Sequence, residues 1–176
     1  MSLAVDAGQM LVNLSESYNA VFKMLTGGAY VAGVAFAFLS IYSLKEYGEA
    51  RTMSSSRDTS LKPALVYMLV AMVFLYFPSA VDVLMQSTFG ADSIPIADGV
   101  SSSSAILTAD VQLAILRLVQ IVGVVAFIRG WFILAQSAKG GGQPVLGRAL
   151  THIIGGILAI NIIGTKNVLW ATFGLS

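Results

Sequence analysis

The sequence predicts an all-α integral membrane protein, with an N-terminal amphipathic helix and about four transmembrane helices arranged as two parallel helical-hairpin repeats. Three observations predict it. Hydrophobic residues make up 56% of the 176 residues and charged residues only 11%, with a mean hydropathy of +0.81, which leaves too little polar surface to cover a water-soluble globule of that size. Four apolar segments each approach the roughly 20 residues that cross about 30 Å of hydrocarbon. Lysine and arginine cluster in alternate loops between those segments.

The first element is Ser2–Leu25, where Leu3, Met10, Leu14, Tyr18, Val21, Phe22 and Leu25 recur at near-helical spacing among Asp6, Gln9, Asn13, Ser15, Glu16 and Asn19. That pattern reads as an amphipathic helix on a surface. A basic start, compact apolar core and cleavage site are missing from it, so it is not expected to be removed as a signal peptide, and the full chain is expected to be the mature protein. The spans follow as Thr26–Leu44, Pro63–Met85, Val111–Ala135 and Leu146–Ile163.

Orientation follows from the loops. The first holds Lys45, Arg51, Arg57 and Lys62, and the third holds Lys139 and Arg148. The second, Gln86–Asp110, has Asp92, Asp98 and Asp110 but no lysine or arginine. Basic loops face the cytoplasm. Both termini and the VSSSSA run at Val100–Ala105 then lie on the periplasmic side of a bacterial inner membrane, the run reading as a solvated linker.

Internal similarity divides the chain into a first helical repeat, residues 1–90, and a second, residues 91–176. Gly33-Val34-Ala35-Phe36-Ala37-Phe38 resembles Gly123-Val124-Val125-Ala126-Phe127-Ile128. Ala64-Leu65 resembles Ala149-Leu150, and Thr88-Phe89-Gly90 resembles Thr172-Phe173-Gly174. Each copy is an outer helix leading into a hairpin with a cytoplasmic loop. Because each copy has two spans, both have the same orientation, unlike inverted transporter repeats.

Charges inside apolar segments are the candidates for chemistry. Arg117 and Arg129 are twelve residues apart, about 18 Å along a helix and some 120° apart around it. Each either snorkels to the nearer surface or faces a polar lumen or ionic partner. Asp82, near the outer end of span two, is the natural partner of Arg117. Lys166 stands in the second copy where Asp82 stands in the first, so neighbouring subunits offer a further Asp–Lys pairing. His152, Asn161 and Lys166 do not share a helical face, and His152 reads as a hydrogen-bonded packing residue.

Gly33, Gly123, Gly155 and Gly156 read as helix-packing positions, as does the Gly27-Gly28 pair. Lys139-Gly140-Gly141-Gly142-Gln143-Pro144 lacks the strand and the Lys-Ser/Thr ending of a phosphate loop and reads as a tight turn. No nucleophile and base, paired carboxylates or cofactor fingerprint appears, so no catalytic residues, no cofactor and no enzymatic activity are expected. The chain has no cysteine and one histidine, which excludes disulfides and an ordinary zinc site, and no metal site is expected.

Lys62-Pro63-Ala64-Leu65 through Phe77-Pro78-Ser79, together with the run from Arg148-Ala149-Leu150-Thr151-His152 to Asn161, resembles the small polytopic inner-membrane proteins of type IVB secretion and IncI-type conjugation systems. These are the TraQ group with its DotE (IcmC) and DotP (IcmD) relatives, and the likeness covers most of the chain from Thr26 onward. The resemblance implies a set of proteins serving transfer of DNA or effectors between cells, with other subunits supplying the ATPases. It supplies no catalytic residues.

Conjugative pilins also have two apolar helices joined by a short basic cytoplasmic loop, so the chain resembles a tandem double pilin. The expectation is a self-associating structural subunit of a conjugative type IVB system, forming a channel or an extracellular pilus, with phospholipid as a structural ligand and other secretion subunits as partners. Arg51, Arg57, Lys62, Arg129, Lys139 and Arg148 would then face the lumen or lipid headgroups, and DNA would pass without specific binding, its affinity moderated by Glu46, Glu49 and Asp58. The alternative is an ion- or solute-conducting protein using Arg117, Arg129 and Asp82. Against it stands the expectation of unbroken helices at mid-depth.

Overall fold

The structure, a computed structural model, describes residues 10, 13, 17–52, 60–90, 109–138, 140 and 143–174. Residues 91–108 of the second loop with its serine run, Arg57, Lys139 and nearly all of residues 2–16 lie outside the described residues. The elements are all helices: α1 Tyr18–Thr52, α2 Lys62–Leu75, α3 Phe77–Phe89, α4 Ala109–Ser137, α5 Gln143–Ile160 and α6 Ile162–Phe173. Two of them, Tyr18–Thr52 and Val111–Ser137, are long and apolar enough to cross a membrane, and the number rises to four if each bent pair counts as one span.

Spans one and three stand as single helices. The segment Tyr18–Leu25, read from the sequence as the end of a separate surface helix, instead runs without a break into span one as the first turns of α1. With no proline between Ser2 and Pro63, nothing in the backbone stops α1 at the membrane surface.

Spans two and four are not straight. Helices α2 and α3 meet at 92°, and α5 and α6 meet at 95°. At the first elbow Tyr76 leaves helical geometry, with φ −109° and ψ 32°. Pro78 explains the position: it has no amide hydrogen to give the preceding turn, and its ring crowds the residue before it.

At the second elbow Asn161 has φ −108° and ψ 62°, and its side chain accepts a hydrogen bond from Gly164 N at 2.8 Å. That is an N-cap in the middle of an apolar run. Thr165 Oγ1 donates to the Leu158 carbonyl at 2.7 Å, satisfying an acceptor left open at the end of α5. A Cβ on Gly164 would lie 2.6 Å from Asn161 Nδ2, so the cap needs glycine there.

The described residues divide into two compact units. The unit of Thr26–Ala80 and Phe127–Ile154 holds an aromatic cluster: Phe36 against Tyr67, Phe74 and Phe132, and Phe74 against Phe132, with ring centroids 5.3–6.0 Å apart. Such pairs contribute about 0.5–1.5 kcal/mol each beyond burial. Ser40 Oγ donates to the Ala64 carbonyl at 2.9 Å. The other unit, drawn from Met1–Leu25, Val81–Ala126 and Gly155–Ser176, buries Val81, Met85, Ala114, Val124, Ile157, Ile160 and Asn161.

Candidate functional site

The most closely fitted places in each unit are glycine contacts. A Cβ built on Gly33 would lie 2.9 Å from Leu75 N, and one on Gly123 would lie 2.7 Å from Ile160 N. Leu75 and Ile160 are the last residues before the two elbows. The absence of a side chain therefore lets a long helix run against backbone where the chain turns.

Gly156 serves as backbone surface, its carbonyl 2.9 Å from the Cβ position of Gly123. Gly155 faces open space, as do Gly27 and Gly28. Gly130, which the sequence reading passed over, has Ile153 N 2.8 Å and the Ala149 carbonyl 3.1 Å from its Cβ position.

Among the described residues the one side-chain ion pair is Lys45–Glu49, at 3.5 Å on the exposed surface of α1. Asp82 and Arg117 therefore form no ion pair within a single chain. Asp82 lies on α3 beyond the elbow and is exposed. On that helix Phe77, Val81 and Met85 are buried, while Ser79, Asp82 and Gln86 are exposed on the other side together with Val83. Arg117 is half-buried and lies within electrostatic reach of Tyr18, whose ring stacks on Phe22 at 6.1 Å.

The remaining cations are spread over the surface. Arg51 stacks over Tyr47 at 5.5 Å, while Lys62, Arg129 and Arg148 are exposed. His152 Nδ1 is 2.9 Å from the Arg148 carbonyl, a local helical contact. Lys166 lies over the Trp170 ring at 5.5 Å. No group of three or more metal-ligating side chains occurs among the described residues.

Two polar features were not legible as such in the sequence. Asn161, Gly164 and Thr165 act together as the elbow device; a cap residue followed three positions later by glycine within an apolar run is the signal that marks it. Trp131 Nε1 is buried without a hydrogen-bond partner, and its ring meets Phe127 edge-on at 6.0 Å. The chain matches no known family model, no curated protein and no solved structure.

Proposed function

We propose that the chain is a structural membrane subunit that associates with copies of itself into a channel or pilus-like assembly, serving conjugative transfer of the type IVB kind. The observation that carries this is α1. It is 35 residues long yet buries only Ala29, Gly33 and Ser40, and leaves Val31, Phe38, Ile41 and Tyr42 at least 65% exposed. So much apolar surface on a monomer marks contact with lipid or with other protein.

The tandem-repeat reading draws support from paired contacts. Gly33 and Gly123 each meet the residue before an elbow, and Ser40 and Gly130, each seven positions further on, approach the carbonyls of Ala64 and Ala149. Gly90 and Gly174 end α3 and α6 with φ of 66° and 65°. The type IVB reading and the secretion partners are supported by the sequence resemblance, and the inner-membrane orientation with periplasmic termini by the placement of lysine and arginine between alternate apolar segments.

Purification in mild detergent, followed by sizing and electron microscopy, tests the assembly: a ring or filament of this chain supports it and a stable monomer overturns it. Deleting the gene and scoring plasmid transfer tests the pathway separately. The second reading, solute conduction, is favoured by the elbows, because breaks in membrane helices are how transporters free backbone groups for polar sites. Flux through purified protein in liposomes, lost with Asp82→Asn or Arg117→Gln, would establish it in place of the first.

A further inference from the structure

Helix α5 from Pro144 to Ile160 is about 25 Å long, close to the hydrocarbon thickness. If its loop end lies at one surface, the Asn161 elbow lies within one turn of the other. A straight continuation through α6 would overshoot that surface, but the chain turns by 95° and is held there by the Asn161–Gly164 and Thr165–Leu158 bonds.

Beyond the elbow, every residue from Lys166 to Gly174 is exposed. Lys166, Leu169, Trp170 and Phe173 recur at spacings of three and four and so share one face of α6. The opposite face carries Gly164, Asn167, Ala171 and the exposed Val168, so the bulkier apolar side chains, Leu169, Trp170 and Phe173, lie on the Lys166 face. Trp170 is 48% and Phe173 72% exposed, and among the described residues nothing covers them. Tryptophan and lysine on one face, with the ammonium above the ring, match the layer where an indole sits among headgroups and a lysine reaches a phosphate.

We propose that α6 is an in-plane helix seated in the phospholipid headgroup layer, on the side of the membrane remote from the N-terminal end of α5, with Trp170 and Phe173 dipping into the acyl boundary and Lys166 on lipid phosphate. The proposal rests on the chain being membrane-embedded and is independent of any role in transfer.

The test is depth-resolved quenching. The chain has two tryptophans, so Trp131→Phe leaves Trp170 as the sole emitter. The full-length protein is reconstituted into phosphatidylcholine–phosphatidylglycerol vesicles carrying a spin label at the headgroup, at a shallow acyl position or at a deep one. The expected result is the largest loss of emission with headgroup or shallow labels. Strongest quenching by the deep label would mean that α6 continues a span, and loss with none of the labels would mean that a second copy covers it; either overturns the proposal.

A second measurement guards against misfolding of the Trp131 variant. In the otherwise cysteine-free chain, spin-labelled Asn167→Cys and Leu169→Cys should favour a water-soluble nickel chelate and oxygen, respectively, as relaxant. Equal behaviour at the two positions would overturn the in-plane orientation.

Discussion

The Thr165 hydroxyl reaches back across the α5–α6 elbow to the Leu158 carbonyl at 2.7 Å, seven residues earlier in the chain. An ordinary helical threonine bonds to the carbonyl four residues before it, as Thr151 does with Gly147. The longer reach exists because the turn at Asn161 folds the end of α5 toward the start of α6.

The first prediction concerns that elbow. Asn161→Ala removes an N-cap, which costs about 1 kcal/mol, and Thr165→Val strands a carbonyl at a comparable cost. Thr165→Ser should restore most of the loss. The double variant should cost less than the sum of the singles, because both act on one turn. Unfolding in mixed micelles gives the energies, and hydrogen exchange at the Gly164 amide gives the local effect. Unchanged exchange in Asn161→Ala would show that the cap does not hold the bend.

A second prediction separates the glycines. Gly33→Ala and Gly123→Ala place a Cβ under 3.0 Å from the backbone of Leu75 and Ile160, so the helices must part, at about 1–3 kcal/mol. Gly27→Ala, Gly28→Ala and Gly155→Ala meet nothing within 4 Å and should be neutral, or stabilising by up to about 1 kcal/mol through helix propensity. Thermal unfolding of the five variants in one detergent checks the split. Similar losses in all five would sink it.

Much of the helical layout is legible in the sequence, because apolar length is what a bilayer demands. Thr26–Leu44 lies within α1 and Val111–Ala135 within α4. The elbows escape a hydropathy reading, since one asparagine or one proline barely changes the mean of an apolar window. Phe77-Pro78 and Asn161-x-x-Gly164 carry the information locally, in backbone donors and caps. The neighbour of Arg117 was not legible either: Tyr18 is far away in the chain, and no periodicity connects residues on α1 and α4.

The third prediction concerns Asp82 and Arg117. Because they form no ion pair within one chain, Asp82→Asn and Arg117→Gln should act additively on the stability of the dispersed protein. In the assembled form they should be coupled, the double variant less damaging than the sum, if copies bring the two charges together. Additivity in both states would show that Arg117 serves Tyr18 and the membrane surface instead.

The fourth prediction is of orientation. Six basic residues stand between the first and second or the third and fourth apolar segments and none between the second and third. Lys45 and Arg51 lie at the end of α1, Lys62 at the start of α2 and Arg148 on α5. Cysteines at Ser55 and Gly141 should therefore resist an impermeant thiol reagent on intact spheroplasts, whereas one at Ser102 should react. The reverse labelling pattern would invert the topology.

The last prediction concerns what the basic loops do in an assembly. If copies form a tube with these loops inward, the wall carries Arg51, Arg57, Lys62, Lys139 and Arg148, offset by Glu46, Glu49 and Asp58. On α1 Glu49 is paired with Lys45, and Arg51 is stacked on Tyr47. A fully basic wall would hold single-stranded DNA by releasing its counterions, and each neutralised phosphate would slow the strand. A moderated wall lets it pass, so passage should weaken sharply when the sign is reversed. Arg57→Glu with Lys139→Glu should leave assembly intact, because single charges on a protein surface contribute little to stability, and should lower DNA transfer between cells. Assembly is checked by yield of the purified complex, and transfer by mating frequency. Intact assembly with unchanged transfer, accompanied by altered surface adhesion or phage sensitivity, would put these loops on the outside of the tube and overturn the lumen assignment.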